Sequence, residues 1–229
     1  MDPVASNLTA VRARIAAAAA RAGRDPSSVR LVAVSKTQTA AAVLAAMEAG
    51  QVDFGENYLQ EALPKQEALA GRVVNWHFIG ALQSNKTRAV AECFQWVHTV
   101  DRASIARRLS DQRPAGLPPL EVCLQVNVSG ESSKGGVAPE RASELAEAVA
   151  ALPHLKLRGL MAIPAPAKDL DAQRAPFRRL RELRDALNAK GLQLDTLSMG
   201  MSDDLESAIA EGATLVRIGT AIFGSRKPQ

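Results

Sequence analysis

The chain has little of what marks a metal centre, a disulfide framework or a nucleic-acid surface. It holds two cysteines, Cys93 and Cys123, thirty positions apart, with no C-x-x-C pair and no histidine at ligand spacing. Disulfide scaffolds and zinc sites therefore lack support, and both residues read as core thiols. Aromatics make up 3% of the chain, and 28 basic side chains against 24 acidic ones leave a net charge of +4. That is too little of either feature for a nucleic-acid footprint, although a weakly positive chain still suits a small anionic ligand. No apolar run approaches the ~20 residues of a membrane span; even the stretch 15–20 is short and flanked by Arg14 and Arg21. The N-terminus shows no basic region followed by an apolar stretch and cleavage site, so the cytoplasm is the expected compartment.

What is present reads as an ordinary globular composition, 47% hydrophobic and 23% charged over 229 residues. This length exceeds the usual domain mode but is common for a parallel barrel, so a single domain over 1–229 is expected. The apolar pattern switches repeatedly between short β-rich runs and alanine-rich helical stretches. An opening helix is predicted over 4–22, ended by Gly23. Strands are predicted at 31–35, 52–55, 76–79, 96–100, 122–128, 157–162, 196–199 and 215–218, with a helical pattern between each pair. Eight such units predict an α/β fold of the (β/α)8 TIM-barrel type, with functional residues at the C-terminal strand ends. An open doubly wound sheet is the alternative, but neither G-x-G-x-x-G nor a P-loop follows any strand. The opening helix is expected to cover the last gap in the outer ring. Loops are marked at 114–119 and at Pro164-Ala165-Pro166, and the polar loop 130–136 is expected to be the most mobile.

The first candidate functional residue is Lys36. It follows an apolar strand on which Val32 and Val34 share its facing, so it should reach the barrel mouth. A lysine desolvated there becomes a free amine able to form a Schiff base with an aldehyde. A solvated strand-end lysine is the competing reading. The other end of the chain reads as an anion cradle after strands seven and eight, through Ser198, Ser202, Gly219 and Thr220. Ser202 is expected to cap the next helix, and Asp203 and Asp204 to face away from a bound anion. Capping plus a turn accounts for Ser202 equally well, but leaves Arg217 in a buried strand unexplained. Lysine and cradle are expected to face one another across the mouth. Pyridoxal 5'-phosphate presents an aldehyde and a phosphate to match them, and Arg217 would then lie near its pyridine nitrogen. A guanidinium cannot take up the pyridine proton, so the ring would be a weaker electron sink than one paired with Asp.

Ala33-Val34-Ser35-Lys36-Thr37, Phe54-Gly55-Glu56-Asn57-Tyr58, Trp76-His77-Phe78-Ile79-Gly80, Leu82-Gln83-Ser84-Asn85-Lys86 and Gly159-Leu160-Met161-Ala162-Ile163-Pro164, with the stretches 198–204 and 217–224, resemble the pyridoxal phosphate homeostasis protein family. These are single-domain relatives of the alanine racemase N-terminal barrel, and the resemblance spans nearly the whole chain. It implies a (β/α)8 fold, a cofactor lysine at Lys36, and a cytosolic role in holding and distributing the cofactor without turnover. Apo-enzymes that need pyridoxal phosphate would be the recipients, and the chain is expected to be a monomer. Asn57 is expected at the same barrel face, orienting the bound ring. Alanine racemases use a second base, a tyrosine from an added C-terminal domain that is not seen here, so racemase activity is the alternative. Tyr58, the only tyrosine, is expected to start a helix and pack there. His77 and His98 read as satisfied core histidines. Lys134 is a candidate for handing the cofactor on, against a solvated loop lysine. The run Arg174, Arg178, Arg179, Arg181 and Arg184 reads as a solvated helix face.

Overall fold

Leu8, Val11, Ile15, Ala18 and Ala19 recur at helical spacing, and these five side chains are buried along one face of α1 (Pro3–Arg21). Beyond it the backbone turns at Gly23, whose φ of 67° is left-handed. The Gly23 N–H donates to Ala20 O and the Arg24 N–H to Ala19 O, a paired closure that glycine favours here. The computed structural model describes residues 3–130, 135–167 and 169–224. Lys134 and most of its loop lie outside the described residues.

Strands and helices then alternate: β1 (Arg30–Val34), α2 (Ala40–Glu48), β2 (Asp53–Glu56), α3 (Leu59–Ala68), β3 (Asn75–Phe78), α4 (Thr87–Cys93), β4 (Trp96–Val100), α5 (Ala103–Gln112), β5 (Leu120–Gln125), α6 (Ala142–Ala150), β6 (Leu155–Met161), α7 (Leu170–Ala189), β7 (Thr196–Ser198), α8 (Leu205–Ala210), β8 (Leu215–Ile218) and α9 (Thr220–Phe223). Each strand pairs in parallel with its neighbour in sequence, and β8 pairs with β1 from Arg30↔Leu215 to Ala33↔Ile218. The sheet is thus a closed (β/α)8 barrel, as the alternation predicts. β1, β3, β6 and β7 each end one residue short of their sequence pattern and β5 ends three short: it stops at Gln125, and Val126 forms an isolated bridge with Val137.

The opening helix fills the outer ring after β8. Asn7 Nδ2 donates to Ile222 O at 2.9 Å, Arg14 pairs with Glu206, and Arg24 Nη1 donates to Ile209 O at 2.9 Å. These contacts seat α1 against α8 and α9, and it also packs on α2.

Period-two facing divides the apolar residues into two cores. Val32, Trp96, Cys123, Met161 and Leu215 form one cluster within the barrel, while Ala33, Phe54, Val97 and Leu124 join the larger layer beneath the helices. Two guanidinium groups lie over the Trp96 ring, Arg30 at 5.7 Å and Arg158 at 5.2 Å from its centroid. Arg158 is itself paired with Glu121 and Asp195. These contacts fill the N-terminal end of the barrel, away from the strand ends where functional groups collect.

The basic run on α7 departs from the expected solvated face. Arg174, Arg178 and Arg181 turn onto one carboxylate, Glu211, at 2.7, 3.2 and 2.7 Å, and Glu211 is only 1% exposed. Their partner lies on the turn after α8, far along the sequence, which is why local charge patterning does not reveal it. Burial pushes the Glu211 carboxyl up, but hydrogen bonds and charge from the arginines outweigh it and hold the group below its usual range. A depressed carboxyl contributes stability above its unfolded pKa, and that contribution is lost as pH falls through the folded value. Glu211→Gln should lower the unfolding free energy by about 2 kcal/mol at neutral pH and flatten its decline on acidification. Urea titrations across the acid range check both effects.

Candidate functional site

Lys36 sits two residues beyond β1, half-buried, in the turn that leads to α2. The backbone around it is gripped from outside the barrel. Ser35 Oγ donates to Glu56 Oε1 at 2.6 Å, and Lys65 Nζ donates both to Ser35 O and to Glu56 Oε1 at 2.7 Å. On the other side, the Thr37 N–H donates to Glu61 Oε2 at 2.6 Å. Thr37 has a φ of 64°, a left-handed conformation that β-branched residues rarely adopt. The turn carrying Lys36 is therefore held in an unfavourable shape by side chains of β2 and α3. Glu56 is fully buried, and burial raises its carboxyl pKa against the opposing pull of Lys65 and Ser35. Sequence reasoning missed this clamp. Its available signal was Lys65, which recurs with Leu59 and Ala62 on the buried face of α3.

The closure of β8 on β1 brings the last glycine of the cradle beside this turn. A Cβ at Gly219 would lie 3.2 Å from Val34 O, so the backbone after β8 runs against the backbone that leads to Lys36. Thr220 follows, exposed, at the start of α9. Lysine and cradle therefore share one rim as neighbours, rather than facing each other across the mouth as expected. Ser202, half-buried in the loop after β7, does not cap α8. Asp204 holds the cap position, and its Oδ1 accepts the Met201 N–H at 2.6 Å, tying the loop to itself. Asp203 is exposed as expected, whereas Asp204 is half-buried. Burial raises the Asp204 carboxyl pKa, and Arg217 opposes that rise.

Arg217 is 4% exposed and has its partners. Nη1 donates to Ser198 Oγ at 2.7 Å and Nη2 to Ala162 O at 3.0 Å. Burial pushes the guanidinium down to about 10, with the Asp204 charge pulling the other way, so it stays protonated at neutral pH. Ser198 lies in the barrel interior rather than on the rim, and its hydroxyl also meets His98 Nδ1 at 2.7 Å. His77 and His98 are buried and hydrogen-bonded, as expected for core histidines. Burial lowers both pKa values, most strongly at His98, where the charges of Arg217 and Arg30 add to the effect.

Asn57 follows β2, and its Oδ1 is buried with no hydrogen-bond partner among the described residues. The loop after β3 reaches Asn57 because position 80 is glycine: a Cβ at Gly80 would lie 2.1 Å from Asn57 O. Tyr58 precedes α3 as expected, but the residue is 55% exposed and does not pack into the core. Lys36, Asn57, Ser202, Gly219 and Thr220 thus collect at the C-terminal strand ends, with Arg217 and Ser198 buried behind them. The arrangement offers an amine, backbone and hydroxyl donors, an orphaned amide oxygen and a charged donor.

Comparison with known proteins agrees with this architecture. Residues 6–227 match the alanine racemase N-terminal domain. The pyridoxal phosphate homeostasis protein of Pseudomonas aeruginosa is 67% identical over 226 residues, covering 99% of this chain and 97% of that protein. Its namesake in Escherichia coli K12 is 54% identical over 229 residues, covering 99% and 98%. The structure of PipY from Synechococcus elongatus PCC7942 with PLP bound, 36% identical, aligns with a TM-score of 0.84 over 96% of this chain and 100% of that one. On this similarity, nearly full length in sequence and in fold, the chain belongs to the pyridoxal phosphate homeostasis protein family, within the alanine racemase N-terminal group of barrels.

Proposed function

We propose that this chain binds pyridoxal 5'-phosphate at Lys36 and holds it in the cytoplasm as a carrier, for apo-enzymes that need it. The observation that carries the reading is the close approach of Gly219 to Val34, which sets the backbone after β8 beside the turn bearing Lys36. The residues fit such a guest in two further respects. Asn57 Oδ1 is a buried acceptor with no partner among the described residues, and Arg217 is a buried donor that keeps its proton. Because elements from both ends of the chain close the barrel, we take 1–229 as one cofactor-binding unit.

Bound there, the cofactor supplies an aldehyde open to attack by an amine and a heteroaromatic ring that draws electron density. Lys36, presented by the Glu56, Lys65 and Glu61 clamp, would be the point of attachment. The Gly219 N–H, the Thr220 hydroxyl and Ser202 would hold the phosphate. Arg217 would donate to the ring nitrogen without surrendering a proton, Asn57 would accept from the ring hydroxyl, and Ser198 would act through Arg217. Racemisation needs a second base on the opposite face of the ring. Tyr58, the only tyrosine, stands exposed at the head of α3, which supports holding over turnover. The relatives reported above carry homeostasis names rather than enzyme names.

The deciding experiment is an absorbance spectrum before and after borohydride, followed by peptide mapping. The reduced adduct should map to Lys36, and Lys36→Ala should lose the visible band while retaining weaker, phosphate-dependent binding. An unchanged band would refute the assignment. Loss of chiral amino-acid signal over time with the loaded protein would favour a racemase instead. Thr220→Val should weaken cofactor binding by about 1 kcal/mol, roughly fivefold in Kd, as read by equilibrium titration. Equal affinity would remove Thr220 from the phosphate site.

A further inference from the structure

Behind Arg217 a series of polar side chains crosses the barrel interior from β8 to β2. The distances are Arg217 Nη1 to Ser198 Oγ 2.7 Å, Ser198 Oγ to His98 Nδ1 2.7 Å, His98 Nε2 to His77 Nδ1 2.9 Å and His77 Nε2 to Asp53 Oδ1 3.0 Å. Ser198 on β7 and His98 on β4 meet across the lumen. Asp53 is also held by Arg30 Nη2 at 2.5 Å and by Asn75 Nδ2 at 3.1 Å.

The inventory of donors fixes the direction of every link. The Asp53 carboxylate only accepts, so His77 carries its proton on Nε2 and donates to it. A neutral His77 then accepts at Nδ1 from His98 Nε2, and a neutral His98 accepts at Nδ1 from the Ser198 hydroxyl. Ser198 Oγ keeps its lone pairs for Arg217, which only donates. With Asp53 ionised and both rings neutral, no link can be reversed. The chain begins on a cation and ends on an anion, so each bond polarises the next in the same sense. Burial keeps both imidazoles neutral, and the His77 hydrogen bond with the Arg30 charge holds Asp53 ionised against its own burial.

We propose that Ser198, His98 and His77 are positioning residues that lock Arg217 as a fixed donor at the floor of the mouth, through a one-way hydrogen-bond chain anchored on Asp53. The proposal deepens the cofactor reading and rests on it for the identity of the acceptor that Arg217 meets. It assigns a role to two buried histidines and a buried carboxylate that packing alone leaves without one. Apolar residues would fill the same space, as Val32, Cys123 and Met161 do beside them.

Two measurements test it. In the cofactor-free chain, nitrogen-15 NMR of the imidazoles should find His77 and His98 both neutral at pH 7 and protonated on Nε2, with the Arg217 Nη hydrogens exchanging slowly. Ser198→Ala should leave His98 Nδ1 without its donor, shift its nitrogen-15 resonance and speed Arg217 exchange at least tenfold, while Ser198→Thr keeps the wild-type pattern. An Nδ1–H tautomer at either ring, or unchanged Arg217 exchange in Ser198→Ala, would overturn the chain. In the loaded protein, Ser198→Ala and His98→Leu should shift the visible band and weaken cofactor binding at least threefold, with Thr at 198 close to wild type. An unaltered band and affinity in Ser198→Ala would overturn the positioning role. If His98→Leu fails to fold, the Ala and Thr pair at position 198 decides. Wild-type protein that takes up no cofactor would refute the functional reading alone, since the NMR arm stands without a ligand.

Discussion

The ladder between β1 and β8 is the constraint on which the rest of the molecule depends. It joins the start of the alternating pattern to its end, removes the two sheet edges an open arrangement would leave, and sets Arg30 against Leu215 and Ala33 against Ile218. Three residues beyond that ladder lies Lys36, and one residue beyond it lies Gly219. The rim is therefore assembled from residues remote in sequence without a long loop having to carry either of them. The outer ring obeys the same constraint. A barrel closed between its first and last strands needs a helix over that seam, and α1 supplies it through bonds to Ile222 and Glu206.

Closure also explains how polar groups survive inside. The lumen is narrow enough that side chains on opposite walls meet, as Ser198 and His98 do at 2.7 Å. A buried polar atom there can find a partner three strands away, so a continuous series of bonds costs less than the isolated desolvation of any one member. The outward-facing residues solve a different problem. Glu56 and Lys65 lie between sheet and helix, where they fix the turn after β1, and the fully buried Glu56 carboxylate is tolerable only because Lys65 and Ser35 both donate to it. Facing alternates along each strand, so lumen residues and clamp residues come from the same short segments, such as Asp53 and Glu56 of β2.

Much of this was legible in the sequence because it is encoded locally. Strand and helix periods differ, so eight alternating units could be counted, and the bounds of β4 and β8 follow directly from their apolar runs. Lys36 and Gly219 were legible because they sit immediately past such runs. What escaped is encoded in pairs. Glu211 collects three arginines from another helix, Lys65 reaches back to Ser35, and His98 meets Ser198 a hundred positions away. A single chain read in order shows each member as an unremarkable charge or a core histidine. Ser202 illustrates a finer limit: the helix begins two residues later than its capping pattern suggests, with Asp204 at the cap position and its Oδ1 accepting the Met201 N–H.

The protonation of Arg217 links the fold to the kind of chemistry the site supports. Burial lowers its pKa to about 10, yet at neutral pH the group remains overwhelmingly charged. A carboxylic acid in the same place could share or give up its proton; a guanidinium offers only charge and direction. Direction, however, has to come from somewhere, because an arginine side chain has four rotatable bonds and a desolvated charge gains by turning toward any acceptor. Ala162 O and Ser198 Oγ supply it, and Ser198 is itself oriented by His98. The direction in which Arg217 donates is therefore set by residues of the strands rather than of the rim.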